Sequence, residues 1–413
     1  MFEVFESVES EVRSYCRKYP VVFDNAKNDK LFAVDGTAYI DFLAVAGSMN
    51  YGHNNPYIKK AILDYLSEDR VINALDMYTQ AKEDFFVTFK KSILDPRGLD
   101  YKVMCCGPTG TNAIEAALKL ARKNTKRSHV FAFSGAFHGM TLGSLSLTTD
   151  QTSRKGAGVP LEHVSFLPYD GTFDSIAYLE WVLSDDHSGY EKPAAIVLET
   201  VQAEGGINVA SVEWLQAVRR ICTENDILMI VDEIQVGNTR TGTFFSFERA
   251  GIVPDMVVLS KSISGFGMPM ALLLMKPELD IFKPAEHNGT FRGNQLAFVG
   301  AKAGIEYFVQ NKLDAEVQRK AGIIEQYLRE NILPLDSRLK MRGIGLIWGI
   351  DFYDIDPALA IEAVHKAFDN HLIIEVAGRK DSVLKIMPAL TIEDENLLAG
   401  LDIIRKVTAD IVK

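Results

Sequence analysis

The strongest constraint on the fold is an apolar, β-branched run at residues 227–231 that ends in Asp232. Such a run predicts a strand that is covered on both faces, as in a parallel sheet. A second run, at residues 256–259, is followed two positions later by Lys261. Ligands of open α/β sheets bind beyond the carboxyl ends of the strands, so Asp232 and Lys261 are predicted to lie in one ligand site.

An acid and a lysine at two strand ends, separated by a glycine-rich crossover, indicate a site for pyridoxal 5'-phosphate (PLP). A lysine amine can form a Schiff base with this cofactor, and an aspartate can keep its pyridine nitrogen protonated. We therefore predict that Lys261 is the Schiff-base lysine and that Asp232 is the partner of the pyridine nitrogen. A binding protein without catalytic activity would have no reason to keep Lys261, so an enzyme is favoured.

Strand-like and helical patterns alternate between residues 102 and 275, which predicts a mainly parallel sheet with helices on both faces. Helices are predicted at residues 111–123 and 212–224. The predicted strands are residues 102–106, 130–133, 164–167, 194–199, 227–232, 256–259 and 271–275. The fold class is therefore α/β.

After Leu296 the pattern changes to a long helical stretch with a break, followed by short strands and helices. Strands are predicted at residues 345–352, 372–376 and 384–387, with helices at 357–370 and 393–411. This pattern indicates a smaller α+β domain. We predict a large PLP-binding domain at residues 58–295 and a small domain that combines residues 1–57 with residues 296–413.

The composition excludes several other classes of function. The chain has 413 residues, of which 47% are apolar and 24% charged, as in ordinary soluble globular proteins. A net charge of −11 without a basic block argues against nucleic acid as a partner, and no apolar run reaches membrane-spanning length. The acidic N-terminus and four cysteines without metal spacing predict a cytoplasmic protein with reduced, buried thiols and no metal site.

Three further loops follow predicted strands, and each has a functional and a plain structural interpretation. The turn Gly107-Pro-Thr-Gly-Thr-Asn112 opens a helix and could bind a phosphate through backbone amides, or could be a capped turn. Phe137-His-Gly139 could stack an aromatic ring on a cofactor, or pack into the core. In Glu199-Thr-Val-Gln-Ala-Glu-Gly-Gly206, the two acids could pair with cations of the site or cap a helix.

The order of these motifs resembles that of the class III aminotransferases, and the resemblance covers nearly the whole chain. Its most specific parts are Lys261 and the segment Asp232-Glu-Ile-Gln-Val-Gly-Asn-Thr-Arg-Thr-Gly242, in which we have no sequence-based account of Asn238-Thr239. The resemblance implies the fold-type I architecture of PLP enzymes. Residues 50–56, 107–112, 259–265 and 286–294 are most similar to family members that transfer the amino group of L-glutamate to L-aspartate 4-semialdehyde. Another diamine or amino-aldehyde, or a PLP decarboxylase or aminomutase on the same fold, is the alternative.

The resemblance also implies roles for individual residues of the cofactor site. Gln235 would bond the phenolic oxygen of PLP, and Phe137 would stack on the ring beside His138. The phosphate would be held by Thr109, Gly110 and Thr111, with Thr290 reaching the phosphate of the neighbouring subunit. A homodimer or a higher homo-oligomer with shared active sites is therefore expected.

For the substrates, the resemblance implies contacts from Tyr51, Glu204 and Lys385. Glu204 resembles a gate glutamate that, in this family, pairs with a substrate-binding arginine when no α-carboxylate is bound. Many family members have that arginine before a C-terminal proline, but this chain has Lys385 in Leu384-Lys-Ile-Met-Pro388. An ammonium binds a carboxylate without the two-pronged geometry of arginine. The alternative is that Lys385 is a solvated surface lysine and that the loop at Tyr51 is a plain turn.

Overall fold

The computed structural model describes residues 2–413 of the chain. In chain order, the strands are β1 (Phe23–Lys27), β2 (Lys30–Ala33), β3 (Ala38–Asp41), β4 (Lys102–Gly107), β5 (Val130–Phe133), β6 (Val164–Leu167), β7 (Ala195–Leu198), β8 (Val201–Gln202), β9 (Asn208–Val209), β10 (Leu228–Asp232), β11 (Met256–Leu259), β12 (Ala271–Met275), β13 (Lys340–Ile344), β14 (Ile347–Asp351), β15 (Leu372–Ile373), β16 (Glu375–Ala377) and β17 (Val383–Ile386). The helices are α1 (Glu3–Val8), α2 (Tyr15–Lys18), α3 (Ala44–Gly47), α4 (Pro56–Ser67), α5 (Gln80–Phe89), α6 (Gly110–Thr125), α7 (Leu142–Leu147), α8 (Gln151–Lys155), α9 (Ser175–Ser184), α10 (Val212–Glu224), α11 (Gln295–Asn311), α12 (Leu313–Asn331), α13 (Ala358–Asp369) and α14 (Asp394–Ile411).

The predicted seven-stranded sheet is confirmed, with the strand order β4-β12-β11-β10-β7-β5-β6. The strand β12 is antiparallel to both of its neighbours, whereas the remaining pairs are parallel. Strands β5, β7, β11 and β12 consist of buried residues throughout, as their uninterrupted apolar sequences require, and β10 is buried except at one residue. Only the first residue of β10, Leu228, is half-buried. The carboxyl ends of β5, β7, β10 and β11 therefore meet at one edge of the sheet.

The two terminal parts of the chain share a sheet, because β15 pairs in parallel with β3 in the order β1-β2-β3-β15. A second four-stranded sheet, β13-β14-β17-β16, is antiparallel throughout. The prediction of one strand at residues 372–376 is wrong, since β15 and β16 join different sheets. The strand β13 was not predicted. The predicted domain boundaries at residues 57 and 295 stay a prediction.

The break predicted in the long helical stretch lies at Lys312, which has a left-handed backbone (φ 48°) between α11 and α12. Burial of the thiols is confirmed for Cys106 and Cys222, but Cys16 is exposed and Cys105 only half-buried. In residues 2–413, no helix combines the length and the apolar character needed to cross a bilayer.

The fully buried Arg240 joins distant segments of the chain and directly follows the unusual Asn238-Thr239 pair. Its guanidinium donates to the carbonyl oxygens of Leu346 and Pro388 and to Oδ1 of Asn50. Asn238 and Thr239 have positive φ angles of 50° and 72°, which turn the chain sharply just before Arg240. Burial lowers the pKa of Arg240 to about 9.

Candidate active site

Asp232 lies at the carboxyl end of β10, buried beneath a pocket. Its Oδ2 accepts a hydrogen bond of 2.7 Å from Nδ1 of His138, and its Oδ1 accepts one of 3.0 Å from the Ile234 amide. Burial lowers the pKa of His138, but the hydrogen bond and charge of Asp232 raise it above its ordinary value. The carboxylate is thus held in one orientation at the floor of the pocket.

Glu199 directly follows β7, next to β10 in the sheet, and is also buried. Its Oε1 accepts a 3.1 Å hydrogen bond from the Phe137 amide and so holds the loop that carries the half-buried Phe137 ring. Burial, with a smaller contribution from Asp232, raises the pKa of Glu199 to about 8, against the lowering effect of His138. This carboxyl group is therefore largely protonated at neutral pH.

Lys261 follows β11 and has a positive φ of 54°, an uncommon backbone conformation for a lysine. The next residue fixes the loop, because Ser262 Oγ donates to Gly47 O (2.7 Å) and accepts from the Asn50 amide (3.1 Å). Burial and the nearby Lys385 ammonium lower the pKa of Lys261, although Glu204 partly offsets them. The neutral amine, which is the nucleophilic and basic form, is thereby favoured.

The predicted phosphate turn opens helix α6 at Gly110, one residue before the predicted start of the helix. Thr109 lies at the N-cap position, and its amide and hydroxyl both donate to Oδ1 of Asn112 in the first turn. The amides of Gly110 and Thr111 lie in the first turn, where helical amides have no partner inside the helix. Thr111 Oγ1 lies 2.5 Å from Thr141 Oγ1 and 2.6 Å from Ser144 Oγ. Amides and hydroxyls of this kind form a ready anion site.

Glu204 and Lys385 meet at the side of the pocket, with Oε1 and Nζ 2.7 Å apart. The Glu204 side chain is 34% exposed, whereas that of Lys385 is 0% exposed, so the alternative of a surface lysine is wrong. Burial alone would raise the pKa of Glu204, but Lys385 and Lys261 lower it to about 2. Burial opposes the charge on Lys385, but Glu204 and Glu375 raise its pKa. Both groups are therefore ionised at neutral pH.

The structure brings most of the predicted site residues to one pocket. Those that line it are Gly110, Thr111, Phe137, His138, Glu204, Asp232, Gln235 and Lys261, together with Gly139, Glu199, Ile234 and Val236. Lys385 reaches the pocket only through Glu204, and Thr109 lies at the cap of α6. Thr290 lies outside, in a 3-10 turn at Thr290–Gly293. Tyr51 also lies outside, buried in the core against Tyr307 and Gly304, so its substrate contact stays a prediction without support from this geometry.

Known proteins resemble this chain over nearly its whole length. The family model Aminotransferase class-III matches residues 13–408. The chain is 52% identical over 408 residues to a diaminobutyrate–2-oxoglutarate transaminase of Streptomyces coelicolor, covering 96% of this chain and 95% of that protein. It is 50% identical over 415 residues to a protein of the same name from Bordetella parapertussis, covering 99% of this chain and 95% of that protein.

The chain belongs to the class-III aminotransferase family.

Solved structures place this class-III aminotransferase in the expected fold. The ornithine aminotransferase of Toxoplasma gondii superposes with a TM-score of 0.86 at 25% identity, covering 99% of this chain and 93% of that chain. The taurine:2-oxoglutarate aminotransferase of Bifidobacterium kashiwanohense, in complex with PLP and glutamate, superposes with a TM-score of 0.84 at 22% identity. The match covers 95% of this chain and 93% of that chain. The prediction of the fold-type I architecture is confirmed.

The cofactor of this class-III aminotransferase is PLP, and the pocket residues fit it. Within residues 2–413, two buried polar atoms that face this region, His138 Nε2 and Gln235 Oε1, have no hydrogen-bond partner. The Gln235 amide is fixed at its other end, where Nε2 donates to Ala46 O at 3.1 Å. Two glycines allow the walls of the pocket to lie close together. A Cβ at Gly110 would lie 2.6 Å from Ile234 Cδ1, and a Cβ at Gly139 would lie 2.7 Å from Thr111 Oγ1.

Sequence reasoning missed one charged residue of this site and left another undecided. Glu375 lies 2.8 Å from the Lys385 ammonium through Oε1 and was not singled out. The sequence feature that could have revealed Glu375 is a single acidic residue inside the otherwise apolar segment Leu372-Ile-Ile-Glu-Val-Ala377. Glu199 was recognised only as an acid at a strand end.

Proposed function

We propose that the enzyme transfers the amino group of L-glutamate to L-aspartate 4-semialdehyde, giving L-2,4-diaminobutyrate and 2-oxoglutarate, as in ectoine biosynthesis. The observation that carries the proposal is an identity of about half with proteins named diaminobutyrate–2-oxoglutarate transaminase, over at least 95% of their length. The pocket supports it, since a poised lysine lies beside an ion pair that a substrate carboxylate can enter.

Each pocket residue has a task toward bound PLP. Asp232 would hold the pyridine nitrogen, Phe137 would stack on the ring beside His138, and Gln235 would bond the phenolic oxygen. Thr109, Gly110 and Thr111 would hold the phosphate at the start of α6. When bound, PLP supplies an electron sink for the bond that breaks at the substrate Cα atom.

Lys261 supplies the base of the reaction. Its lowered pKa favours a neutral amine, which can take the Cα proton of the donor and return a proton to the acceptor carbon. Asp232 keeps its charge directed into the pocket because His138 and the Ile234 amide fix both of its oxygens. The buried strand ends around these groups exclude water from the reacting atoms.

Lys385 is the carboxylate-binding group in this proposal, and Glu204 is its gate. With no substrate bound, Glu204 neutralises the ammonium at 2.7 Å. The backbone of Glu204 is anchored, because its carbonyl oxygen accepts a 2.9 Å hydrogen bond from the Gly378 amide, so the gate would open by rotation of the Glu204 side chain, which is 34% exposed. A substrate carboxylate would replace Glu204 at Lys385, and the release of Glu204 would admit donor and acceptor in turn.

The active form is proposed to be a cytoplasmic homodimer whose subunits share active sites. An apolar surface surrounds the Thr290 turn, formed by Leu75, Met77, Tyr78 and Phe291, all of them exposed. Residues 72–74 pair with residues 293–295, which makes the two segments one continuous surface. Exposed apolar patches of this kind mark protein–protein interfaces. Thr290 would then reach the phosphate of the neighbouring subunit.

A screen of amino acceptors against L-glutamate tests the proposed function. We expect the highest kcat/KM for L-aspartate 4-semialdehyde, with 2-oxoglutarate formed in equal amount. A higher kcat/KM for another amino-aldehyde, such as a precursor of a siderophore or a peptide antibiotic, would show that this compound, and not L-aspartate 4-semialdehyde, is the acceptor. Release of carbon dioxide without formation of 2-oxoglutarate would show that the enzyme is a decarboxylase and not an aminotransferase.

A further inference from the structure

Lys385 has two carboxylate partners, and only one of them belongs to the gate. Lys385 and Glu375 lie directly opposite each other on the antiparallel strands β17 and β16, and Nζ is 2.8 Å from Glu375 Oε1. The Glu375 side chain is only 4% exposed and does not line the pocket. Its other oxygen accepts a 3.2 Å hydrogen bond from the Tyr15 hydroxyl of α2. The strand pairing and this hydrogen bond fix Glu375, whereas the Glu204 side chain reaches partly into solvent.

The gate of the proposed function requires that two carboxylates exchange at Lys385. If Glu204 leaves before the substrate carboxylate arrives, the ammonium is for a moment without either of them. The Lys385 side chain is 0% exposed, so little water is available to take the place of Glu204. A buried charge that loses its only partner is strongly destabilised. A gate with Glu204 alone would therefore open through an unfavourable state, and the exchange would be slow.

The opposite order, in which the substrate carboxylate arrives first, is disfavoured by charge. It would place three carboxylates around one ammonium, because Glu204 and Glu375 are both still present. Strand β14 adds no cation on the other side of β17, since the residue opposite Lys385 there is Gly349. The nearby Lys261 tends toward its neutral form. Like charges so close together repel strongly in buried surroundings, so Glu204 leaves first.

Glu375 lowers the barrier of the exchange without changing its equilibrium. When Glu204 has left, Glu375 still compensates the ammonium at 2.8 Å, so the open gate holds no unpaired charge. In the closed gate and in the substrate complex, one further carboxylate pairs with Lys385 at the same position. Glu375 repels Glu204 and the substrate carboxylate to a similar extent, so its effect on these two states cancels. A lone carboxylate, such as that of glutamate, is therefore not disfavoured at equilibrium.

We propose that Glu375 is a positioning residue that keeps Lys385 paired while the gate is open, and that it thereby lets Glu204 and a substrate carboxylate exchange rapidly. This inference rests on the proposed function, because it requires that Lys385 binds the substrate carboxylate and that Glu204 is its gate. Glu375 does not line the pocket and touches neither cofactor nor substrate. It acts by holding the ammonium in place and by compensating its charge during the exchange.

Glutarate tests the inference, since it has the two carboxylates of glutamate but no amino group and enters the gate without reacting. Stopped-flow measurement of the visible absorbance of bound PLP gives its association and dissociation rates with the PLP-loaded enzyme, and a titration gives the Kd. We expect Glu375→Gln to slow both rates at least about tenfold, because its open gate leaves a buried ammonium unpaired. The Kd should stay within about threefold of the wild type, since both bound states keep one carboxylate at Lys385. Wild-type rates in this variant, or a change in Kd as large as the change in either rate, would overturn the inference.

Further variants separate the charge of Glu375 from its packing. Glu375→Gln should fold, because Lys385 keeps Glu204 as its partner and glutamine keeps an acceptor for Tyr15. Glu375→Met removes the same charge with an apolar side chain and should slow both rates alike. Tyr15→Phe removes the hydrogen bond but keeps the charge, so its rates should stay within about threefold of the wild type. Slowing in Tyr15→Phe equal to that in Glu375→Gln would overturn the inference.

The gate itself is tested by the same measurement in Lys385→Met. We expect this variant to bind glutarate at least about tenfold more weakly, because the group that binds its carboxylate is gone. Wild-type affinity in Lys385→Met would reject the gate of the proposed function, and the inference with it. Weak binding in Lys385→Met together with wild-type rates in Glu375→Gln would leave the gate in place and overturn the inference alone.

Discussion

Nδ1 of His138 donates a 2.7 Å hydrogen bond to Oδ2 of Asp232, joining the loop after β5 to the end of β10. Both side chains are almost fully buried, and Nε2 of His138 has no partner among residues 2–413. The pair therefore forms a fixed, charged floor for the pocket. In the proposed function, this floor would hold one carboxylate in a fixed orientation beneath the cofactor ring.

Asp232→Asn should abolish most of the activity without preventing PLP binding. Asparagine keeps the size and an oxygen for His138, but it lacks the charge that keeps the pyridine nitrogen protonated. We expect the barrier to rise by roughly 4 kcal/mol or more, about a thousandfold in rate. Single-turnover conversion of the PLP form by glutamate measures the loss. A rate within tenfold of the wild type would show that another group protonates the ring.

Lys385→Met should weaken substrate binding and stability through separate effects. Loss of a hydrogen bond to a charged group costs about 1.5–3 kcal/mol, so the KM for glutamate, aspartate semialdehyde or both should rise by about 10- to 150-fold. The variant also leaves Glu375 buried without a counter-ion, which should cost about 3–5 kcal/mol of stability.

The double variant Lys385→Met/Glu375→Gln separates the two effects of this substitution. It removes both buried charges, so we expect urea denaturation to show recovered stability while the KM values stay high. Wild-type KM values for both substrates in the single variant would show that Lys385 is structural only.

The buried carboxyl of Glu199 should make stability fall as the pH rises. Its pKa is about 8 in the folded protein against an ordinary 4.5, so the folded state binds one more proton than the unfolded state between these values. Its contribution is complete below pH 4.5 and is lost up to pH 8, at about 1.4 kcal/mol per pH unit. Urea denaturation of the PLP-free protein should show that the free energy of unfolding falls less steeply with pH in Glu199→Gln than in the wild type. If the free energy of unfolding changes equally with pH in the variant and the wild type from pH 5 to 8, the raised pKa of Glu199 is contradicted.

Phe291→Glu should dissociate the proposed dimer and lower activity together. The Phe291 ring is 64% exposed beside Thr290, and a charge there would have to be desolvated in the interface. Phe173→Glu is a matched control, because Phe173 is 74% exposed in the loop before α9. Sedimentation and turnover should change in the first variant only. A fully active wild-type monomer at assay concentration would refute shared active sites.

The strand ends could be predicted from the sequence because the central strands are buried on both faces. Runs such as that ending in Asp232 stay apolar over their whole length, and the polar residue that ends each run then lies at the edge of the sheet. The roles of Gln235 and Glu204 came instead from the family resemblance, and the structure brings both residues to the pocket that Lys261 also lines.

The pairing of Lys385 with Glu375 could not be predicted, because it depends on the register between β16 and β17. The sequence around Glu375 indicates one continuous strand, and nothing local shows that Ile374 separates two strands of different sheets. Short apolar strands of this kind pair through tertiary contacts. For the same reason, the turn residues near Tyr51 did not reveal that its ring packs against Tyr307 in the core.

Transfer of a labelled nitrogen tests the central claim most directly. The enzyme would be given L-glutamate labelled with ¹⁵N and unlabelled L-aspartate 4-semialdehyde, with Lys261→Ala as the matched inactive control. We expect 2,4-diaminobutyrate with the label only on the C4 nitrogen, an equal amount of 2-oxoglutarate, and no product from the folded Lys261→Ala variant. Unlabelled diaminobutyrate, no diaminobutyrate at all, or wild-type turnover in Lys261→Ala would contradict the account.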